Sequence, residues 1–83
     1  MALSKKAAKR IASLVNSIQC ADAMVAGAKA RGEKAGAAMW RIASYERTIE
    51  LADEFGIELP ALETIREALP RQKAYYDQLT LVG

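Results

Sequence analysis

The stretch "AGAKARGEKAGAAMW", residues 26 to 40, decides how this chain folds. It consists mainly of alanine, glycine and basic residues, and it ends at the only tryptophan of the chain. Glycine and polar neighbours favour a turn, and a run of small residues favours a helix surface that another helix can approach closely. We therefore expect a turn in this stretch, followed by a close-contact helix surface.

The residues before this stretch form one amphipathic pattern. Ser4 is a suitable N-cap, and the apolar period after it predicts a helix over about residues 4–30. Continued in the same phase, this pattern would place Glu46 in the apolar seam, so the chain must turn first. We expect Gly32 to make that turn. The repeating apolar residues are Ala7, Ile11, Leu14, Ile18, Ala21, Val25 and Ala28.

A second apolar pattern follows the turn and predicts a helix over about residues 34–55, antiparallel to the first. Gly56 suits the left-handed position that ends a helix, and Pro60 prevents simple continuation. The repeating residues of this second helix are Ala35, Ala38, Ile42, Tyr45, Ile49 and Ala52.

A third helix is predicted over about residues 60–79, beginning at Pro60. Pro70 lies inside its pattern and predicts a kink or a break near Leu69, because proline disfavours helical geometry in the residue before it. The apolar face of this helix consists of Leu62, Ile65, Leu69, Tyr76 and Leu79.

Composition supports the same fold class. Of 83 residues 52% are apolar, but 17 are alanine, the strongest helix former, and no alternating stretch long enough for a buried strand occurs. We predict an all-α fold in one domain, a long antiparallel helical hairpin plus a third, proline-kinked helix. The small number of larger apolar side chains predicts a thin core.

The residue inventory argues against several functions. The chain has no histidine, so the usual general base and the usual metal ligand are missing, and we predict no enzyme, no cofactor and no metal site. Cys20 is the only cysteine, which fits a reducing cytoplasm. The longest charge-free stretch, residues 11–21, is too short to span a bilayer. We expect a soluble cytoplasmic protein that does not act at a membrane.

Charge is divided unevenly along the chain. Residues 1–47 carry nine basic and three acidic side chains, whereas residues 48–83 carry three basic and seven acidic ones. A chain of this kind can fold on itself, pair with a second copy, or offer two faces to different partners. Together with the thin core, this pattern favours a homodimer.

The second helix has two apolar faces. One, through Ile42 and Ile49, can pack on the first helix, and the other carries Trp40 and must meet the third helix, a second copy or a foreign partner. Tryptophan surrounded by small residues and arginine is typical of an interface hot spot. Burial of Trp40 within the monomer is the alternative. The predicted partner-binding residues are Trp40, Arg47, Leu51 and Tyr75.

A basic cluster at the start of the first helix is the candidate anion or acidic-partner patch. Its charges oppose the helix dipole, so a binding partner would offset that cost. A solvated face, or pairing with the acidic third helix, is the alternative. The cluster consists of Lys5, Lys6, Lys9 and Arg10.

The stretch "LADEFGIELPALETI", residues 51 to 65, is similar to the core of a helix-turn-helix, which implies DNA binding. The second helix of this element would expose Glu58, Glu63 and Glu67, where DNA readers carry basic or amide side chains. The favoured hypothesis is a non-enzymatic interaction module that binds and modulates or inhibits a larger protein, in the manner of adaptors, antitoxin-like partners or small phage and mobile-element inhibitors. The alternative is a DNA- or RNA-associated regulator that uses the basic helix and this corner.

Overall fold

A computed structural model describes residues 4–81 of the chain and contains three helices. They are α1 (Lys5–Ala30), α2 (Lys34–Phe55) and α3 (Leu62–Leu81). No strand occurs within residues 4–81, so the predicted all-α class is confirmed. Each helix begins and ends within two residues of its predicted position.

Local chemistry accounts for these boundaries. The Ser4 hydroxyl accepts a hydrogen bond of 3.0 Å from the Ala7 N–H and caps α1. Gly32 turns the chain with a φ of 71°. Gly56 ends α2 with a φ of 62°, and its N–H donates to the Ala52 carbonyl. Both glycines adopt the left-handed region that side chains disfavour, as the turn and cap predictions required.

Helix α3 runs through Pro70 without interruption. Of the two alternatives predicted near Leu69, a kink or a break, the break does not occur, and the kink stays a prediction. Because the ring of Pro70 includes its backbone nitrogen, Pro70 has no N–H to donate. The backbone carbonyl four residues before Pro70 therefore lacks its usual helical hydrogen bond. The helix begins at Leu62, two residues after the predicted start at Pro60.

The three helices form a layer with α2 in the middle. Helix α2 packs on α1 and on α3, but within residues 4–81 α1 and α3 do not come into contact. The described chain measures 50 × 23 × 19 Å, as expected for helices lying side by side. A layer of this kind buries little, which explains why the core is small.

Helices α1 and α2 pair as an antiparallel hairpin along their whole length. Near the turn, Ala28 lies beside Gly36, and a β-carbon at Gly36 would stand 3.6 Å from the Ala28 methyl group. Further along, the Ser44 hydroxyl donates to the Asp22 carboxylate over 2.6 Å. At the far end Arg10 forms ion pairs with α2 carboxylates. The buried apolar residues of α1 and α2 are Leu14, Ala21, Ala28, Ala37, Ala38, Leu51 and Ala52.

Helix α3 is also antiparallel to α2. Arg66 pairs with Asp53, and Lys73 pairs with Glu46 over 3.6 Å. The two helices therefore stay side by side, as in a helical hairpin, whereas the helices of a helix-turn-helix cross at a steep angle. No residue of α3 is buried, so its apolar face is covered only in part.

The structure reverses the predicted partners of the two α2 faces. Trp40 lies four residues after Gly36 and four before Ser44, both of which contact α1, so Trp40 faces α1. Ile42 and Ile49 lie on the side that carries Glu46 and Asp53, which faces α3. Both faces are apolar, so hydrophobic periodicity does not determine which neighbour each face meets.

Helix α1 is the one described helix whose length and composition would allow it to cross a membrane. Its most apolar 18-residue window has a mean hydropathy of 1.2, and 17% of that window is buried. Because α1 forms one wall of the hairpin core, its apolar residues already have a role within the fold.

Candidate functional site

A cavity of about 230 Å³ opens where α3 passes the turn between α1 and α2. It lies over the edge of α2 that is left open because α1 and α3 do not meet. We call it the turn groove, and it is lined by Lys29, Gly32, Glu33, Lys34, Ala37, Ala38, Arg41, Gln72 and Tyr75. The turn groove therefore combines residues from all three helices with the Gly32 turn.

Three cationic side chains border the turn groove. Lys29, Lys34 and Arg41 form no ion pair with any residue in the range 4–81. The one carboxylate of the lining, Glu33, accepts hydrogen bonds of 3.1 and 3.2 Å from Arg31. These hydrogen bonds, and then the charge of Arg31, lower the pKa of Glu33 below its usual value. The groove thus has an excess of positive charge.

The first turn of α2 adds to this positive character. The N-cap residue Glu33 makes no side-chain hydrogen bond to the helix backbone, and the first turn contains no acidic residue. A helix N-terminus carries partial positive charge because its first N–H groups lack partners within the helix. The unpaired cations and the helix dipole therefore act in the same direction.

Gln72 supplies the one unsatisfied polar atom of the groove. Its side-chain oxygen Oε1 is buried and accepts no hydrogen bond from the described part of the chain. A buried acceptor without a donor costs about 1 to 3 kcal/mol. No group of the described residues donates to this oxygen, so replacement of Gln72 by an apolar residue of similar size should raise stability.

Tyr75 gives the groove an aromatic wall. Its side chain is 42% exposed, although it stands beside the buried methyl groups of Ala37 and Ala38. Of the residue types in this lining, tyrosine and arginine are the ones enriched in protein interfaces. Tyr75 is thus the predicted partner-binding residue that lies in a cavity.

The other predicted partner-binding residues lie outside the turn groove. Trp40 is half-buried on the side of α2 that faces α1. Arg47 is bound to Glu50 over 2.8 Å within the same helix. Leu51 is only 7% exposed and belongs to the core of the described chain, so it offers almost no surface to a partner. The four residues therefore do not form one surface.

The structure divides the predicted basic patch. Arg10 pairs with Glu50 and Glu54, and the hydrogen bond to Glu54 is the main cause that raises its pKa. Lys5, Lys6 and Lys9 are exposed and form no ion pair within the described residues. Arg10 thus joins α1 to α2, and the three lysines remain as a cationic surface.

Sequence reasoning missed the cations of the turn groove. A signal for two of them was present, because Lys34 and Arg41 are seven residues apart and share one face of α2 with Ala38 between them. The apolar pattern on the neighbouring faces of α2 is stronger, so prediction from the sequence follows that pattern and gives this face no role. Lys29 and Gln72 contribute to the groove only because of the way the three helices are arranged. A pattern within one helix does not predict that arrangement.

Chemically reactive groups are few in the described residues. Cys20 is a free and exposed thiol on the outer side of α1. Within residues 4–81 no group of three or more histidine, cysteine, aspartate or glutamate side chains is arranged to hold a metal ion. The turn groove is thus one candidate binding site, and a second cavity of about 310 Å³ lies at the other end of the hairpin, where Lys6 and Arg10 belong to its lining.

Comparison with protein-family models, with curated proteins and with solved structures found no match for this chain.

Proposed function

We propose that this chain is a non-enzymatic helical interaction module that binds and modulates or inhibits a larger protein. The observation that carries the proposal is the turn groove, where exposed Tyr75 and unpaired cations surround a small apolar floor. Tyrosine and arginine are the residue types that contribute most to interface hot spots. The absence of histidine from the chain supports a role in binding rather than catalysis.

The size of the cavity favours a protein partner over a small molecule. At about 230 Å³ it is smaller than the roughly 300 to 1,000 Å³ of typical ligand pockets. A small open groove with an aromatic residue in its wall suits a short segment of another protein. We place this activity in the cytoplasm, because a lone exposed thiol such as Cys20 suits a reducing compartment.

The test is recovery of a partner from the native cell with tagged wild-type chain and with Tyr75→Ala. We expect the variant to recover at least tenfold less of a stoichiometric protein partner. Met24→Ala is the matched control, because Met24 is similarly exposed but lies on α1 away from the groove. Equal recovery by wild type and Tyr75→Ala would contradict the placement of the partner at the groove.

A nucleic-acid-associated regulator is the second candidate, and the unpaired Lys5, Lys6 and Lys9 favour it. For duplex DNA, the slope of log affinity against log salt should become shallower by about 0.9 for each lysine–phosphate pairing that a substitution removes. The triple glutamine variant of these lysines should therefore flatten the salt dependence of DNA binding. Affinity that does not respond to salt would contradict this candidate.

Self-association is a further proposal. The small core of the described chain supports it, because a second copy would cover apolar surface that α3 leaves half-exposed. Light-scattering mass over a dilution series provides the measurement. A mass that stays at 9.0 kDa at micromolar concentration would contradict a homodimer.

A further inference from the structure

We propose that the turn groove binds a short acidic segment of the partner protein, in which carboxylates alternate with apolar side chains. The inference rests on the proposed function and specifies the chemistry of what the groove recognises. It depends on three features of the groove: its unpaired cations, its orphaned amide oxygen and its apolar floor.

The cations require anionic groups. Lys34 and Arg41 lie on one face of α2, with Lys29 across the turn, and none of them has an ion-pair partner among residues 4–81. Glu33 does not neutralise them, because Arg31 already donates two hydrogen bonds to it. An arginine fork binds a carboxylate through two parallel hydrogen bonds, which suits Arg41 to aspartate or glutamate.

The amide of Gln72 requires a donor. Gln72 is a lining residue of the groove, and its Oε1 atom is buried and accepts no hydrogen bond within the described chain. A peptide offers a backbone N–H at each residue, so an extended segment can supply this donor and its carboxylates together when the Gln72 amide turns its Oε1 atom into the groove on binding. A nucleic-acid phosphate brings only acceptors, and it would leave Gln72 unsatisfied.

The floor of the groove requires an apolar group between the charges. Ala37 and Ala38 are buried below the opening, and the ring of Tyr75 stands at its side. A side chain of the size of leucine would remove this apolar surface from water, whereas a polyphosphate or a free inorganic anion would leave it in contact with water. Charge, hydrogen bonding and apolar contact together select an acidic and apolar peptide.

The test uses a fluorescently labelled synthetic peptide of alternating glutamate and leucine, measured by anisotropy with the full chain. We expect Lys34→Gln with Arg41→Gln to weaken binding at least tenfold. Lys5→Gln with Lys9→Gln is the matched control, since it removes the same charge from the other end of the hairpin. We expect that control to change affinity by less than twofold at physiological salt.

Two further measurements define the recognition. A peptide with glutamine in place of every glutamate should bind at least tenfold more weakly. Gln72→Met should weaken binding several-fold while it raises the thermal midpoint, because the unsatisfied acceptor is removed. A purely structural role of Gln72 would change the midpoint and leave peptide affinity unaltered, which would overturn the assigned hydrogen bond.

The proposal is overturned if both double variants weaken binding equally, or if single-stranded DNA competes as well as the peptide, because binding would then be general charge attraction. The proposal is also overturned if the chain does not bind the peptide, while recovery of its protein partner from the cell is still lost in the Tyr75→Ala variant. That last result would leave the interaction module in place and reject the acidic segment. The circular dichroism spectrum of each variant should match that of the wild type. A match shows that the variant is folded, so its weaker binding is not caused by misfolding.

Discussion

The contact of α2 with α1 and its contact with α3 differ in what they bury. On α1, Leu14, Ala21 and Ala28 are buried against α2, whereas α3 contributes no buried residue. The hairpin of α1 and α2 therefore contains the buried core and contributes most of the stability. Helix α3 is attached mainly by half-buried contacts and by exposed ion pairs. Segments with few buried contacts open more readily than the core.

This difference has a consequence for the site. The turn groove has one wall on the hairpin, with Lys34 and Arg41, and one on α3, with Gln72 and Tyr75. The hairpin wall belongs to the helices that carry the buried core, whereas the α3 wall belongs to a helix with no buried residue. Binding would then order the weaker of the two contacts.

The largest expected effect comes from a matched pair of leucine truncations. Leu14 is 2% exposed, so Leu14→Ala should lower the free energy of unfolding by about 3 kcal/mol. Leu69 is half-buried on α3, and Leu69→Ala should cost about 1 kcal/mol. Urea denaturation measures both values. Equal losses would contradict the claim that the hairpin dominates stability.

The next effect concerns two of the three half-buried aromatic residues of α2. Trp40 faces α1 and Tyr45 lies on the side that faces α3, so Trp40→Ala should destabilise the fold by about 2 kcal/mol and Tyr45→Ala by about half of that. Thermal unfolding provides the measurement. A Trp40→Ala chain with unchanged stability but no partner binding would instead make Trp40 a docking residue.

Replacement of the glycine between α2 and α3 has a smaller expected effect. Gly56 has a φ of 62°, and an added β-carbon would meet no atom within 4 Å, so Gly56→Ala should cost about 1 kcal/mol through backbone strain alone. Gly56→Asn should cost less, because asparagine tolerates this conformation better. Urea denaturation of the two variants measures the difference. If alanine and asparagine cost the same, strain at this cap is not the cause.

The smallest expected effect is a pH dependence at the hairpin turn. Hydrogen bonds from Arg31 lower the pKa of Glu33, so this pair stabilises the fold above the usual glutamate pKa, near 4.3, and the contribution is lost as the pH falls through the lowered value. Both side chains are exposed, so the effect is small and screened by salt. Glu33→Gln should lose less stability than wild type on acidification, measured by denaturation at pH 7 and in acid. If the stability of wild type and of Glu33→Gln changed equally with pH, the stabilising role of the Arg31–Glu33 pair would be contradicted.

The helices and their ends could be predicted because local chemistry determines them. Ser4, Gly32 and Gly56 act on their own neighbours, and their roles follow from residue type. The partner of each α2 face could not be predicted, because two apolar faces on one helix satisfy the same periodicity. The pattern around Pro70 predicts a kink or a break without distinguishing them, and the continuous helix α3 excludes only the break.

The candidate site was predictable only in part. The sequence predicts Tyr75 as a partner-binding residue, and Tyr75 does line the turn groove. Leu51 is also a predicted partner-binding residue, but it is buried in the core. The groove itself arises where α3 meets the turn, and the orphaned oxygen of Gln72 is visible only once all three helices are placed. Sequence periodicity describes single helices and not such junctions.

The central claim is that the turn groove is the binding surface of this chain. Amide chemical-shift mapping of the full chain during titration with the glutamate-leucine peptide tests it most directly. We expect the perturbed amides to gather in residues 29–41 and 72–76, on the two walls of the groove. Perturbations that gather in residues 5–10 instead would contradict the account and assign binding to the lysine surface at the start of α1.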